Sequence, residues 1–254
     1  MGNDLRWLMV SDVHFPRHCE RKVSLFMKVA KWWQPNAIDL LRDIDDADST
    51  SRWAEGTNRS IELVDEGVKL TQEFMNDLSQ ICPKAEDKHF HDGNHGWYRH
   101  KKYLEKNAPP FLGLINAETL YRPTDYGFQF HEYDQKPVKR FNNMYAHHGE
   151  SISKHSGESV RADCTKYLVS LVRGHSHRQA SYYVTHELPG IAIEGYEIGH
   201  LCNEDKMTYE LTKNWQAGFA VADVVDDVAF VKLVQIKETS HGLSCFVDGK
   251  RFDA

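Results

Sequence analysis

Five apolar runs in this chain each end in a cluster of Asp, Asn or His side chains, and that repetition limits the fold more than any other feature. Arg6-Trp7-Leu8-Met9-Val10 leads into Asp12 and His14, and 37–41 leads into Asp43 and Asp46. The run at 87–91 meets Asn94 and His95, 141–146 meets His147 and His148, and 168–172 meets His175 and His177. Side chains alternate along an extended backbone, so Asp12 and His14 leave the strand end on the same side. Between the first two runs, Val23, Phe26, Met27, Ala30 and Trp33 recur at helical spacing over 21–34. Strand, helix and strand at this length predict a βαβ unit with parallel strands. Functional residues in such units gather at the carboxyl ends of the strands.

The same spacing rules predict helices over 58–80, 97–106 and 157–167, with Pro83 and Pro109-Pro110 as terminators. A β-rich region starts near 127, with strands at 127–133 and 141–146, then 168–172, 180–185, 190–196, 217–225 and 228–237. A closing hairpin over 243–252 turns at Asp248-Gly249, and 111–125 follows no clear period. No repeat or low-complexity linker divides the chain. The expectation is one α/β domain over 1–254: two packed mixed β-sheets, a β-sandwich, flanked by helices. In it the strands of 178–254 complete the second sheet.

The net charge of -6 argues against a broad basic surface for nucleic acid. Nucleic acid remains open as a substrate, because bound divalent cations add local positive charge that this tally omits. No apolar run reaches the roughly 18 residues that a membrane span needs. No basic segment followed by an apolar core precedes the first strand, so no signal peptide is expected. Cys19, Cys82, Cys164, Cys202 and Cys245 are dispersed, with no C-x-x-C pair, which reads as reduced thiols in the cytoplasm. Oxygen and imidazole donors without cysteine suit hard or borderline divalent metals, namely Mn²⁺, Fe²⁺, Zn²⁺ or Ni²⁺.

Asp-x-His, Asp-x-x-Asp, Gly-Asn-His, His-Gly and Gly-His-x-His, in that order from 12 to 177, resemble the calcineurin-like metallophosphoesterases of bacterial and bacteriophage type. The resemblance implies two divalent metal ions, Mn²⁺ foremost. Asp12, His14 and His177 would hold the first, Asn94, His148 and His175 the second, and Asp43 both. His148 is preferred over His147 because the family's ligand commonly stands directly before Gly. His95 would be the general acid, with Asp46 fixing its tautomer and raising its pKa. The implied reaction is attack of a hydroxide held between the metals on a phosphate ester. The expected activity is a phosphodiesterase able to act on nucleic acid or nucleotides, a candidate nuclease. The alternatives are a phosphomonoesterase acting on phosphoprotein or a small phosphate, and a non-catalytic metal-binding module.

Arg42 departs from the family pattern, which has Gly before the bridging Asp. It could narrow the site, point away or contact phosphate. Arg178, directly after the second histidine of its motif, is a candidate substrate contact. Arg99-His100-Lys101-Lys102 reads as a solvated helix face, with a substrate role as the alternative. His18, His89, His91, His100, His155, His186, His200 and His241 read as surface or satisfied core residues. The sequence leaves the substrate, the metal and the oligomeric state undetermined.

Overall fold

The computed structural model describes residues 4–254 except 55–56, 58–63, 134–135, 189 and 208–212. Strands β1 (Leu5–Val10), β2 (Ala37–Leu41) and β3 (Asp87–His91) lie parallel and adjacent. Helices α1 (Glu20–Trp33) and α2 (Val64–Ile81) connect them. The first six residues of the helix expected over 58–80 lie outside the described residues. Helix α1 stops where Gln34 turns left-handed and its N–H bonds back to Ala30, one residue before Pro35.

After α3 (Trp97–Asn107) the unassigned stretch forms short helical turns around α4 (Ala117–Tyr121). The strand expected over 127–133 shortens to β4 (Gln129–His131), parallel to β3. Residues 141–146 are not one strand. Asn142 and Asn143 form the turn of a hairpin between β5 (Val138–Phe141) and β6 (Met144–His147). Helix α5 (Glu158–Tyr167) precedes β7 (Leu171–Arg173). Leu168, read as strand, instead caps α5 in a left-handed conformation and is 71% exposed.

The C-terminal strands divide between layers, which corrects the expectation that all of them complete the second sheet. β8 (Gln179–His186) and β9 (Ile191–Ile198) join it, in the order β5-β6-β7-β9-β8. β10 (Gly218–Val225) and β11 (Val228–Gln235) instead extend the first sheet through β1, in the order β11-β10-β1-β2-β3-β4. β12 (Lys237–Thr239), β13 (Gly242–Val247) and β14 (Lys250–Asp253) form a small third sheet. The hairpin turns at Asp248 and Gly249 as the sequence predicts.

β1 is central, and its two faces feed different cores. Leu8 and Val10 pack with Phe26, Val29, Trp33 and Phe74 under the helices, whereas Trp7 and Met9 pack with Met144, Val172 and Ile198 between the sheets. Each such side chain contributes about 1.5–3 kcal/mol when fully buried. No helix among the described residues is long and apolar enough to cross a membrane. All five cysteines are free.

Candidate metal centre

The site forms because parallel strands from two sheets end at the same edge of the sandwich. β1, β2 and β3 deliver Asp12 and His14, Asp43 and Asp46, and Asn94 and His95. β6 and β7, also parallel, deliver His148 and His175. The first two loops stay paired beyond the strands: the Asp12 and His14 N–H groups donate to the carbonyls of Arg42 and Asp43 at 3.0 and 2.9 Å.

Two donor sets result. One nitrogen or oxygen from each of Asp12, His14 and His177 lies within 4.8 Å of the others, and the same holds for Asp43, His148 and His175. His14 Nε2 and His177 Nε2 face each other at 3.1 Å, with Asp12 Oδ1 3.1 Å from the latter. In the second set His148 Nε2 lies 2.8 Å from Asn94 Oδ1 and 3.1 Å from Asp43 Oδ2. His14, His148 and Asp12 are completely buried.

A divalent cation fits the first set by a specific observation: Asp12 Oδ1 is buried and accepts no hydrogen bond. A buried carboxylate oxygen that accepts no hydrogen bond is costly unless a cation meets it, and the ring nitrogens of His177 and His14 stand 3.1 and 3.8 Å from this one. The electrostatics agree. Burial pushes the Asp12 carboxyl up, yet His177 and His14 hold it well below the usual range. Burial opposes a proton on His14, but Asp12 and Asp46 draw one there and push its pKa up to about 9. The negative field that raises it would also favour a divalent cation, which displaces that proton on binding. Asp43 is lowered, against burial, by His148 from one set and by His95 and His14 from the other, as expected of a carboxylate between the two.

The backbone is bent to make this possible. Asp12, His14, Asp43, His175 and His177 all have positive φ, between 49° and 70°. Such conformations cost on the order of 1–3 kcal/mol each for residues with a side chain and persist where the surroundings enforce them. The glycines before Asn94 and His175 have a different role. A Cβ on Gly93 would lie 1.8 Å from Asp43 Oδ1, and one on Gly174 would lie 2.4 Å from Asp12 Oδ2. Both are needed for close backbone approach to a carboxylate. Gly93→Ala is expected to displace Asp43 and weaken metal binding about 10–100-fold, the range for disturbed support of a ligand, by calorimetric titration.

Asp46 does more than the sequence implied. Its Oδ1 accepts from His95 Nδ1 at 2.9 Å and from His14 Nδ1 at 2.8 Å, which turns Nε2 of both rings toward the site. Its other oxygen is held by Arg17. His95 departs from expectation, because its pKa is pushed down, not up. Burial is the main cause; the nearby Asp43 charge opposes it and Arg99 adds to it. Arg99 donates to His95 Nε2 at 2.9 Å and to the Asp46 carbonyl at 2.9 Å. It lies one helical turn beyond His95, and that i, i+4 spacing was the readable signal for a residue set aside as solvated surface.

Three other residues separate from the ligand sets. His147 turns away: its Nδ1 accepts from the Gly149 N–H at 3.2 Å, and burial with Arg42 nearby pushes its pKa down to about 2. Arg42 neither blocks the site nor faces substrate; its guanidinium donates to the carbonyls of Tyr133 and Glu132 at 3.0 and 3.3 Å and stacks on Tyr133. Its φ of 76° accounts for the preference for Gly at this position. Arg178 is a brace, donating to the carbonyls of Asn214, at 3.1 Å, and Ser153. Arg178→Ala is expected to leave KM unchanged and to cost about 1–3 kcal/mol in urea unfolding, the penalty for stranding buried acceptors.

No protein-family model and no curated protein matches this sequence. Solved structures do match the fold. A double mutant of Vps29 from Entamoeba histolytica aligns with a TM-score of 0.52 at 13% identity, covering 98% of this chain and 99% of that one. A single mutant of the same protein gives 0.50 at 12%, with the same coverage. Vps29 from Chaetomium thermophilum gives 0.50 at 13%, over 98% of this chain and 97% of its own. Strand ends converging from two sheets and an alignment spanning both whole chains give this protein the calcineurin-like metallophosphoesterase fold.

Proposed function

We propose that the chain is a metal-dependent phosphoesterase with a two-metal centre, most readily a phosphodiesterase accepting nucleotides or nucleic acid. Asp12, His14 and His177 hold one cation, Asn94, His148 and His175 the other, and Asp43 serves both. The observation carrying this reading is the pair of donor sets around Asp12 and Asp43 with His95 beside them, its Nδ1 locked to Asp46. A purely structural metal site has no use for that third group.

Two divalent cations, when bound, neutralise charge on the phosphate and activate water at neutral pH, so no protein base is required. The two carboxylates return only two of the four positive charges, which leaves the site attractive to an anionic ester. His95 can act as the acid only as an imidazolium: it takes up a proton at Nε2 once the anionic ester draws Arg99 off that atom, then passes it to the leaving oxygen, while Asp46 keeps Nδ1 protonated and the ring in place. Arg99, already within hydrogen-bond reach of His95 Nε2, draws the phosphate toward that atom.

The test compares bis-p-nitrophenyl phosphate with p-nitrophenyl phosphate, using protein stripped by chelation and reloaded with Mn²⁺, Fe²⁺, Zn²⁺ or Ni²⁺. Metal-restored turnover with the diester preferred is expected. Preference for the monoester would replace the diester assignment, and full metal loading without turnover of either would leave a binding module.

A further inference from the structure

A second cluster of imidazoles lies one face away from the centre just described. His89 and His91 stand two positions apart on β3, and the parallel register places His131 of β4 directly opposite His91. All three are nearly or completely buried. A ring nitrogen from each lies within 4.8 Å of the other two. The ring planes are nearly parallel, with His131 between the others at centroid distances of 4.9 and 4.8 Å.

We infer that His89, His91 and His131 form a third metal site, for a single borderline divalent cation such as Zn²⁺, clamping β3 to β4.

Three observations carry this beyond a simple group of histidines. First, two rings have their outer nitrogen fixed by a carboxylate: His89 Nε2 by Asp87 Oδ1 at 2.8 Å and His91 Nε2 by Asp39 Oδ1 at 2.6 Å. That is the support metal-bound histidines usually have, and it leaves Nδ1 of both rings as the donor position. Second, His91 Nδ1 is buried with no hydrogen-bond partner, an expense a protein core otherwise avoids. Third, two of the rings resist protonation. Burial pushes His91 down to about 4 and His131 to about 3, so protons do not compete for the lone pairs at neutral pH.

Charge is balanced around the cluster. Two cations near the cluster oppose a metal, Arg42 toward His91 and Arg140 toward His131; Arg140 is paired with Asp39 at 2.8 Å and Asp87 at 2.7 Å. The carboxyls of Asp39 and Asp87 offset it and leave three imidazole donors facing inward. His89 Nδ1 and His131 Nε2 are 2.6 Å apart, sharing one hydrogen bond. Zn–N bonds of 2.0–2.1 Å in tetrahedral geometry would part them to about 3.3 Å. Three imidazoles leave a fourth position for water, and no cysteine is needed.

Zn²⁺ alone is the probe. Elemental analysis after gel filtration is expected to find about one more equivalent of zinc per chain in the unmodified protein than in His131→Phe or His89→Gln, with far-ultraviolet circular dichroism alike in all three. Anomalous diffraction at the zinc edge should place a peak among the three rings. Zinc should raise the unfolding temperature of the unmodified chain more than that of the variants. Equal zinc content in folded variants and parent, or no peak at the cluster, overturns the inference. If the two-metal centre itself fails, the parent holds a single equivalent and His131→Phe loses it; if only turnover fails, the parent still holds about one equivalent more than His131→Phe. If neither variant folds, the anomalous map of the parent decides.

Discussion

Asp43→Ala is expected to lower Mn²⁺-dependent hydrolysis of bis-p-nitrophenyl phosphate by at least about 10³-fold in kcat. Removing one preorganised charged or donor group from an active site typically costs about 10²–10³, and in the proposed centre Asp43 would serve both cations. Its carboxylate is lowered by His148 on one side and by His95 and His14 on the other. It also accepts the His95 backbone N–H at 3.1 Å, so its loss loosens the loop that carries His95. Asp43→Asn separates the two contributions: the amide oxygen still accepts that bond, but the charge is gone. Both variants should lose activity, and the Asn variant should keep the parent's unfolding midpoint without metal. Activity within tenfold of the parent in Asp43→Asn would remove the shared carboxylate from the proposed chemistry.

The edge that carries this site was legible because strand ends are local. Apolar runs of the right length, each closed by Asp, Asn or His, identify which residues emerge at a carboxyl end, and parallel pairing then gathers them. What could not be read depends on pairing between distant segments. Asn142 and Asn143 inside an apolar run disclose a hairpin only once β5 and β6 are seen to pair. The placement of β10 and β11 beside β1, not in the second sheet, is likewise a matter of register. His89 and His91, read from the sequence as surface or satisfied core residues, share one face of β3 by their spacing of two. Their third partner, His131, becomes visible only across the β3–β4 ladder.

Arg42 shows how a departure from a family pattern can be absorbed. Gly suits the position because φ is positive there, and an arginine pays that conformational cost while gaining two carbonyl acceptors and the face of Tyr133. The side chain thereby ties the loop at 132–133 to the backbone next to Asp43. Arg99 is the converse case. A residue that composition marks as solvent-facing is turned inward by its one-turn offset from His95, and its guanidinium reaches the ring nitrogen expected to act on substrate.

His95→Gln is expected to lose about 10²–10⁴ in kcat on a diester whose leaving group is an alkyl alcohol, the usual value of a positioned general acid. On bis-p-nitrophenyl phosphate the loss should be under about tenfold, because p-nitrophenolate departs with little help from a proton. This contrast distinguishes proton delivery from mere packing. A ring that only fills space or supports His14, whose centroid is 4.7 Å away, would affect both substrates alike. Asp46→Asn should show the same contrast in weaker form, added to a loss common to both substrates, because Asp46 also fixes the ring of His14. Equal losses for the two leaving groups in His95→Gln would assign His95 to holding the site, and the leaving oxygen would then depart without a proton from the protein.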